Sequence, residues 1–164
     1  KAWPPQTLMI LAHKIARRVE GQTFVDWAVA AMQADFDSPS LRILAGLDLT
    51  RPVDTDEAVD YFQRSLGELG LVIPPQAILL RDYLAVVARR MVNNDIGVRE
   101  ALDEVHSSIV TPLDHPGDLM SWCFLWEGNH SDGRLPDDYG DLTDTELGRE
   151  ALELARAYLT LHHY

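Results

Sequence analysis

Residues 74–92 read PPQAILLRDYLAVVARRMV, and this stretch decides the fold. Pro74-Pro75 supply a helix start, since proline's missing N–H removes only a donor that would have no partner in the first turn. From Ile78 to about Val92, Leu79, Leu80, Tyr83, Leu84, Val86, Val87 and Met91 wrap most of the circumference. A helix that is apolar nearly all round is a central, buried one. Other elements have to cover it.

Helical patterning recurs in both directions from there. Upstream, Leu8, Leu11, Ala12, Ile15 and Val19 follow Pro4-Pro5 at helical spacing, and Gly21 closes the segment. Thr23 with Asp26 resembles a capping box and opens a helix through Trp27, Ala28, Ala31 and Met32, ending before Asp35. A short helix is predicted over 40–47, with Leu41, Leu44 and Ala45. Asp54 with Glu57 marks an acidic N-terminus, and the stripe Ala58, Phe62, Leu66, Leu69 runs to Gly70 as its C-cap. Downstream, Ala101, Leu102, Val105 and Ile109 mark a helix between Gly97 and Pro112. Leu119, Trp122, Cys123 and Trp126 mark another after Pro116. Thr143 and Glu146 form the best capping box in the chain, and behind it come Leu147, Ala151, Leu154, Ala155 and Tyr158. No sustained period-2 run of β-branched residues occurs, so no strands are expected. The reading is all-α: a single compact bundle of seven or eight helices around a central apolar helix. It makes residues 1–164 one helical domain, with an irregular acidic loop over about 128–142.

The chain's 164 residues suffice to bury a core without disulfide or metal staples. Its 14 Lys+Arg stand against 26 Asp+Glu, a net charge of −12. That balance argues against nucleic acid, which needs a basic footprint, and against an anionic membrane surface. No apolar stretch approaches the roughly 20 residues of a membrane span. Cys123, the only cysteine, excludes an intrachain disulfide and suits a reducing, cytoplasmic compartment. The chain opens on Lys1 rather than Met, which reads as a start inside a longer product. The acidity is uneven. Residues 1–50 carry five basic and five acidic groups, 51–110 six against ten, and 111–164 three against eleven. The C-terminal third is the acidic part.

Residues 128–142, GNHSDGRLPDDYGDL, form the longest stretch without helical periodicity. They hold His130, Asp132, Asp137, Asp138 and Asp141. A calcium loop with Gly140 at its glycine would put Asp137 and Glu146 at ligand positions, but Leu135 and Tyr139 where oxygens are required. The match fails, and a solvated acidic loop is the expectation. No metal site and no cofactor are assigned: there is no H-E-x-x-H, and one cysteine builds no cage. His162 and His163, adjacent on a helix, would point about 100° apart and cannot chelate one ion alone. His115, flanked by Asp114, could join His130 or His106 in a His/Asp metal or acid–base site. The simpler reading has Asp114 or His115 capping the helix after Pro116. Cys123, among Trp122, Phe124, Leu125 and Trp126, reads as a buried small hydrophobe. His13, Lys14, Arg17 and Arg18 make two i,i+4 basic pairs on the first helix, expected to pair with the acidic C-terminal third or to meet a partner. Trp122 and Trp126 share a helix face beside the acidic loop, either as core or as interface anchors.

Asp37-Ser38-Pro39-Ser40-Leu41-Arg42-Ile43-Leu44-Ala45-Gly46-Leu47, followed by Phe62, Leu66 and Glu68-Leu69-Gly70, resembles small uncharacterised bacterial all-helical proteins. Their shared pattern is S-x-x-L-R-x-L-A-G-L … F-x-x-x-L-x-E-L-G. The resemblance spans about residues 24–110 and implies a helical fold, with no activity or site residues attached.

Function classes follow from charge and site candidates. The first expectation is a non-catalytic protein-binding module masking a basic partner, immunity- or antitoxin-like by analogy of size and charge. Its contact residues would be Trp122, Trp126, Asp132, Asp137, Asp138 and Asp141. The alternative is a metal-dependent or acid–base enzyme using His115, Asp114 and His130. A further alternative is a small-molecule pocket between helices. No P-loop, G-x-S-x-G or G-x-G-x-x-G motif supports catalysis.

Overall fold

The apolar stretch at 76–92 is a 17-residue helix on which its neighbours pack, in a chain whose regular structure is helical throughout the described residues. The computed structural model describes residues 3–4, 6–49, 51–130 and 143–162, with backbone only for 129, 130 and 144. Eight α-helices lie within those residues: α1 Thr7–Ile15, α2 Gly21–Gln33, α3 Pro39–Ala45, α4 Thr55–Glu68, α5 Gln76–Val92, α6 Val98–Val105, α7 Met120–His130 and α8 Asp144–Leu161. Among them no strand occurs, and no helix is long and apolar enough to cross a membrane. The all-α expectation holds. Contacts group the helices into two compact units, residues 1–75 and 76–164, so the chain divides at the Pro74-Pro75 step.

The first unit packs α2, α3 and α4 against one another. Phe62 of α4 is buried between Phe24, at 5.0 Å, and Trp27, edge-on at 4.6 Å. The Trp27 indole N–H donates to Thr7 Oγ1 at 2.9 Å, and the Thr7 hydroxyl donates onward to the Pro4 carbonyl at 2.7 Å. This relay satisfies the polar edge of a fully buried ring and ties α1 to α2.

Both halves of the recurring sequence pattern meet here. Ser38 caps α3 by accepting from the Leu41 N–H. Glu68, at the end of α4, accepts from the Ser40 N–H at 2.9 Å and from the Ser40 hydroxyl at 2.7 Å. These bonds hold the Glu68 carboxyl below its ordinary pKa, the Ser40 hydroxyl contributing most. Gly70, at φ 67°, then lets the Leu71 N–H reach back to the Leu66 carbonyl at 2.9 Å, a Schellman closure that ends α4 as predicted.

Two predicted helix ends shift. The first helix stops at Ile15, because Arg17 adopts φ 55° and Arg18 N–H closes onto the His13 carbonyl at 2.8 Å. Arg17 and Arg18 therefore leave the helix, and the two i,i+4 basic pairs do not form one face. Gly21 does not close that helix; it begins α2, with Glu20 at the N-cap and no Thr23 capping box. The start is set by tertiary contact instead. Gly21 N–H donates to Thr55 Oγ1 at 3.1 Å, and a Cβ on Gly21 would lie 2.8 Å from Val53 Cγ1.

In the second unit α5 packs against α6 and α8, and α7 packs on both of those. Tyr83 donates to Glu104 Oε1 at 2.8 Å, and the Tyr158 hydroxyl to the Arg81 carbonyl at 3.1 Å. Arg81 forks onto Asp118 at 3.1 and 2.9 Å, a basic group of α5 paired within the acidic C-terminal third. Thr143 and Glu146 form the expected capping box at the start of α8. Residues 128–130 extend α7, so the irregular loop does not begin at Gly128; 131–142 lie outside the described residues.

Candidate functional site

Among the described residues, the most unusual backbone lies between α6 and α7. After Val105 the helix widens into a π-helical turn, His106–Val110, with the Thr111 N–H bonded to the His106 carbonyl. A 3₁₀ turn, Thr111–Leu113, follows, and the chain then places two consecutive non-glycine residues in the left-handed region: Asp114 at φ 58° and His115 at φ 53°. Their N–H groups close onto the Thr111 and Val110 carbonyls, both at 3.0 Å. π turns and left-handed non-glycine residues carry strain, and both concentrate where side chains must be aimed.

What they aim is an aromatic cluster. The His106 ring lies flat on the Trp126 indole, with centroids 3.6 Å apart and planes 4° from parallel. His115 meets His106 edge-on at 5.9 Å. The Trp126 indole N–H donates to Asp103 Oδ1 at 2.9 Å, and Asp103 stands one turn before His106 on α6. The indole is thus fixed on a face and an edge while remaining half-buried.

The sequence-derived candidates sort accordingly. His115 and His106 are brought together, as the His/Asp reading required, but neither Asp114 nor His115 caps the following helix. Pro116 holds the cap position of the 3₁₀ turn Gly117–Leu119 that leads into α7, and no side chain caps it. The His130 side chain and Asp132, Asp137, Asp138 and Asp141 lie outside the described residues. Trp122 is buried, 2% exposed, and edge-on to Tyr158 at 6.4 Å. It is core, which leaves Trp126 as the member of the pair with a surface. Cys123 is also buried, and burial, aided by the Glu127 charge, pushes its thiol above the ordinary pKa, the reverse of what a nucleophile needs. Among the described residues no three His, Cys, Asp or Glu side chains converge as a metal cage. The His106–Trp126 stack was not legible in the sequence, because it joins the end of α6 to α7, twenty residues on, with irregular backbone between them.

A second feature lies on the same unit. An open groove of about 480 Å³ runs between α7 and α8. Ser121 and Leu125 line it from α7; Arg149, Glu150, Glu153, Leu154 and Ala157 line it from α8.

No protein-family model matches the chain, and no curated protein or solved structure matches it.

Proposed function

We propose that the chain is a non-catalytic binding module that masks a basic protein, with the second unit as its contact surface. The observation that carries this reading is how the charge divides at the unit boundary. Residues 1–75 hold seven basic and ten acidic groups, whereas 76–164 hold seven against sixteen. Nine of the twelve net negative charges therefore sit on one unit. Such a field steers a basic partner and suppresses acidic ones. Trp126 suits an anchor: indoles are enriched at binding hot spots, and one already held by a stack and a hydrogen bond loses little freedom on binding. The lone buried Cys123 fits a reducing, cytoplasmic setting.

The test is surface plasmon resonance of the full chain against an arginine-rich peptide and a glutamate-rich one, at low and high salt. The expected result is binding of the first only, with an association rate that falls at least about tenfold as salt rises. Trp126→Ala should weaken it further. Absence of affinity, or affinity indifferent to salt, would sink the reading.

The approach of His106 to His115 favours one competing reading, an acid–base or metal site. A rise in Tm on adding Zn²⁺ that His115→Gln abolishes would shift the balance toward it.

A further inference from the structure

Resting on that reading, the geometry points to the α7–α8 groove as a receptor for an arginine side chain of the basic partner. Glu150 and Glu153 stand three residues apart on α8, a spacing that puts both on one face of the helix. Both line the groove, and neither carboxylate pairs with another side chain among the described residues. Arg149 lies four residues before Glu153, the less favourable order for a helical ion pair, and its charge acts instead on Glu146 one turn nearer the helix start. Among the described residues the two carboxylates thus have no side-chain partner, with Arg149 beside them on the groove wall.

Apart from Arg149, the remaining lining is apolar or small: Ser121, Leu125, Leu154 and Ala157. A carboxylate pair beside an apolar strip matches the anatomy of arginine, whose methylene stem covers hydrocarbon while its planar head bonds carboxylates in a fork. The volume of about 480 Å³ admits such a side chain with the backbone that carries it. Lysine, a point charge without the fork, fits the same strip less well.

Isothermal titration of the full chain with an arginine-rich peptide and its lysine-rich counterpart tests this, helicity of each variant being checked by circular dichroism. E150Q/E153Q should weaken arginine-peptide binding at least about tenfold, the loss of roughly one charge-assisted contact. D56N/D60N, which removes equal charge from exposed positions of α4, should change it less than about twofold. Ala157→Trp, which fills the groove and leaves the charge intact, should also weaken binding. Equal losses in the two charge variants, unaltered binding by A157W, or equal affinity for the lysine peptide would each overturn the groove assignment. Such results leave the binding-module reading standing. A wild-type chain that binds neither peptide overturns both.

Discussion

At Gly21 the segment 53–55 passes so close that a methyl group would meet Val53 Cγ1 at 2.8 Å and the Thr55 backbone at 3.2 Å. Gly21→Ala should therefore destabilise the chain by about 1–3 kcal/mol, the range for overpacking a close contact. Gly148 offers the opposite case. It lies inside α8, and a Cβ there would meet nothing within 4 Å. Gly148→Ala should stabilise by up to about 1 kcal/mol through helix propensity. Urea unfolding of the two variants decides both signs. The His106–Trp126 stack is testable at the same scale. A double-mutant cycle of His106→Ala and Trp126→Ala should return a coupling of about 0.5–1.5 kcal/mol, as for a close aromatic pair. A coupling near zero would mean that the rings are merely adjacent.

Helix ends separate what was readable from what was not. The capping box at 143 and 146 is a local device with both partners three residues apart, so the sequence displays it. Thr143→Ala should lower stability by about 1 kcal/mol in thermal unfolding. The start of α2 is the contrary case: its first N–H is bonded by Thr55, 34 residues away, and no local pattern could reveal that. Glu68 lies between the two. Its E-L-G ending was legible as a helix stop, but its bonds to Ser40 were not, because they join the end of α4 to the start of α3. The carboxyls of Glu68 and Glu146 are both held below their ordinary pKa of 4.5, chiefly by the Ser40 hydroxyl for Glu68 and by the Thr143 N–H for Glu146. A lowered native pKa means that their stabilisation is complete above about 4.5 and lost as pH falls through the native values. Glu68→Gln should flatten the acid limb of the stability–pH curve; an unchanged limb would argue that the Ser40 bonds add nothing.

For the whole molecule, a charge of −12 is a self-repulsion that the close pairs Arg42–Asp37, Arg51–Glu57 and Arg81–Asp118 offset locally. All three have exposed or half-exposed partners and contribute little. Screening should therefore relieve more repulsion than attraction, and Tm should rise as NaCl is added from low ionic strength. A falling Tm would show that the ion pairs outweigh the net charge. The all-helical architecture was legible because apolar periodicity is a repeated signal, and the buried faces of α4, α5 and α8 coincide closely with it. The candidate site was legible only in part. His115 drew notice through its aspartate neighbour, but its approach to His106 required a backbone irregularity that residue types do not announce.

That irregularity works as an angular spacer. A π turn adds about one residue to a helical turn, and each residue of an ordinary helix corresponds to about 100° of rotation. With every residue kept but the turn closed to ordinary α geometry, everything beyond 106–110 would swing by about that angle. The His115 ring and the Pro116 entry to α7 would then face elsewhere, with every side chain of the cluster still present. The width of that turn, as much as residue identity, is what this segment has to keep.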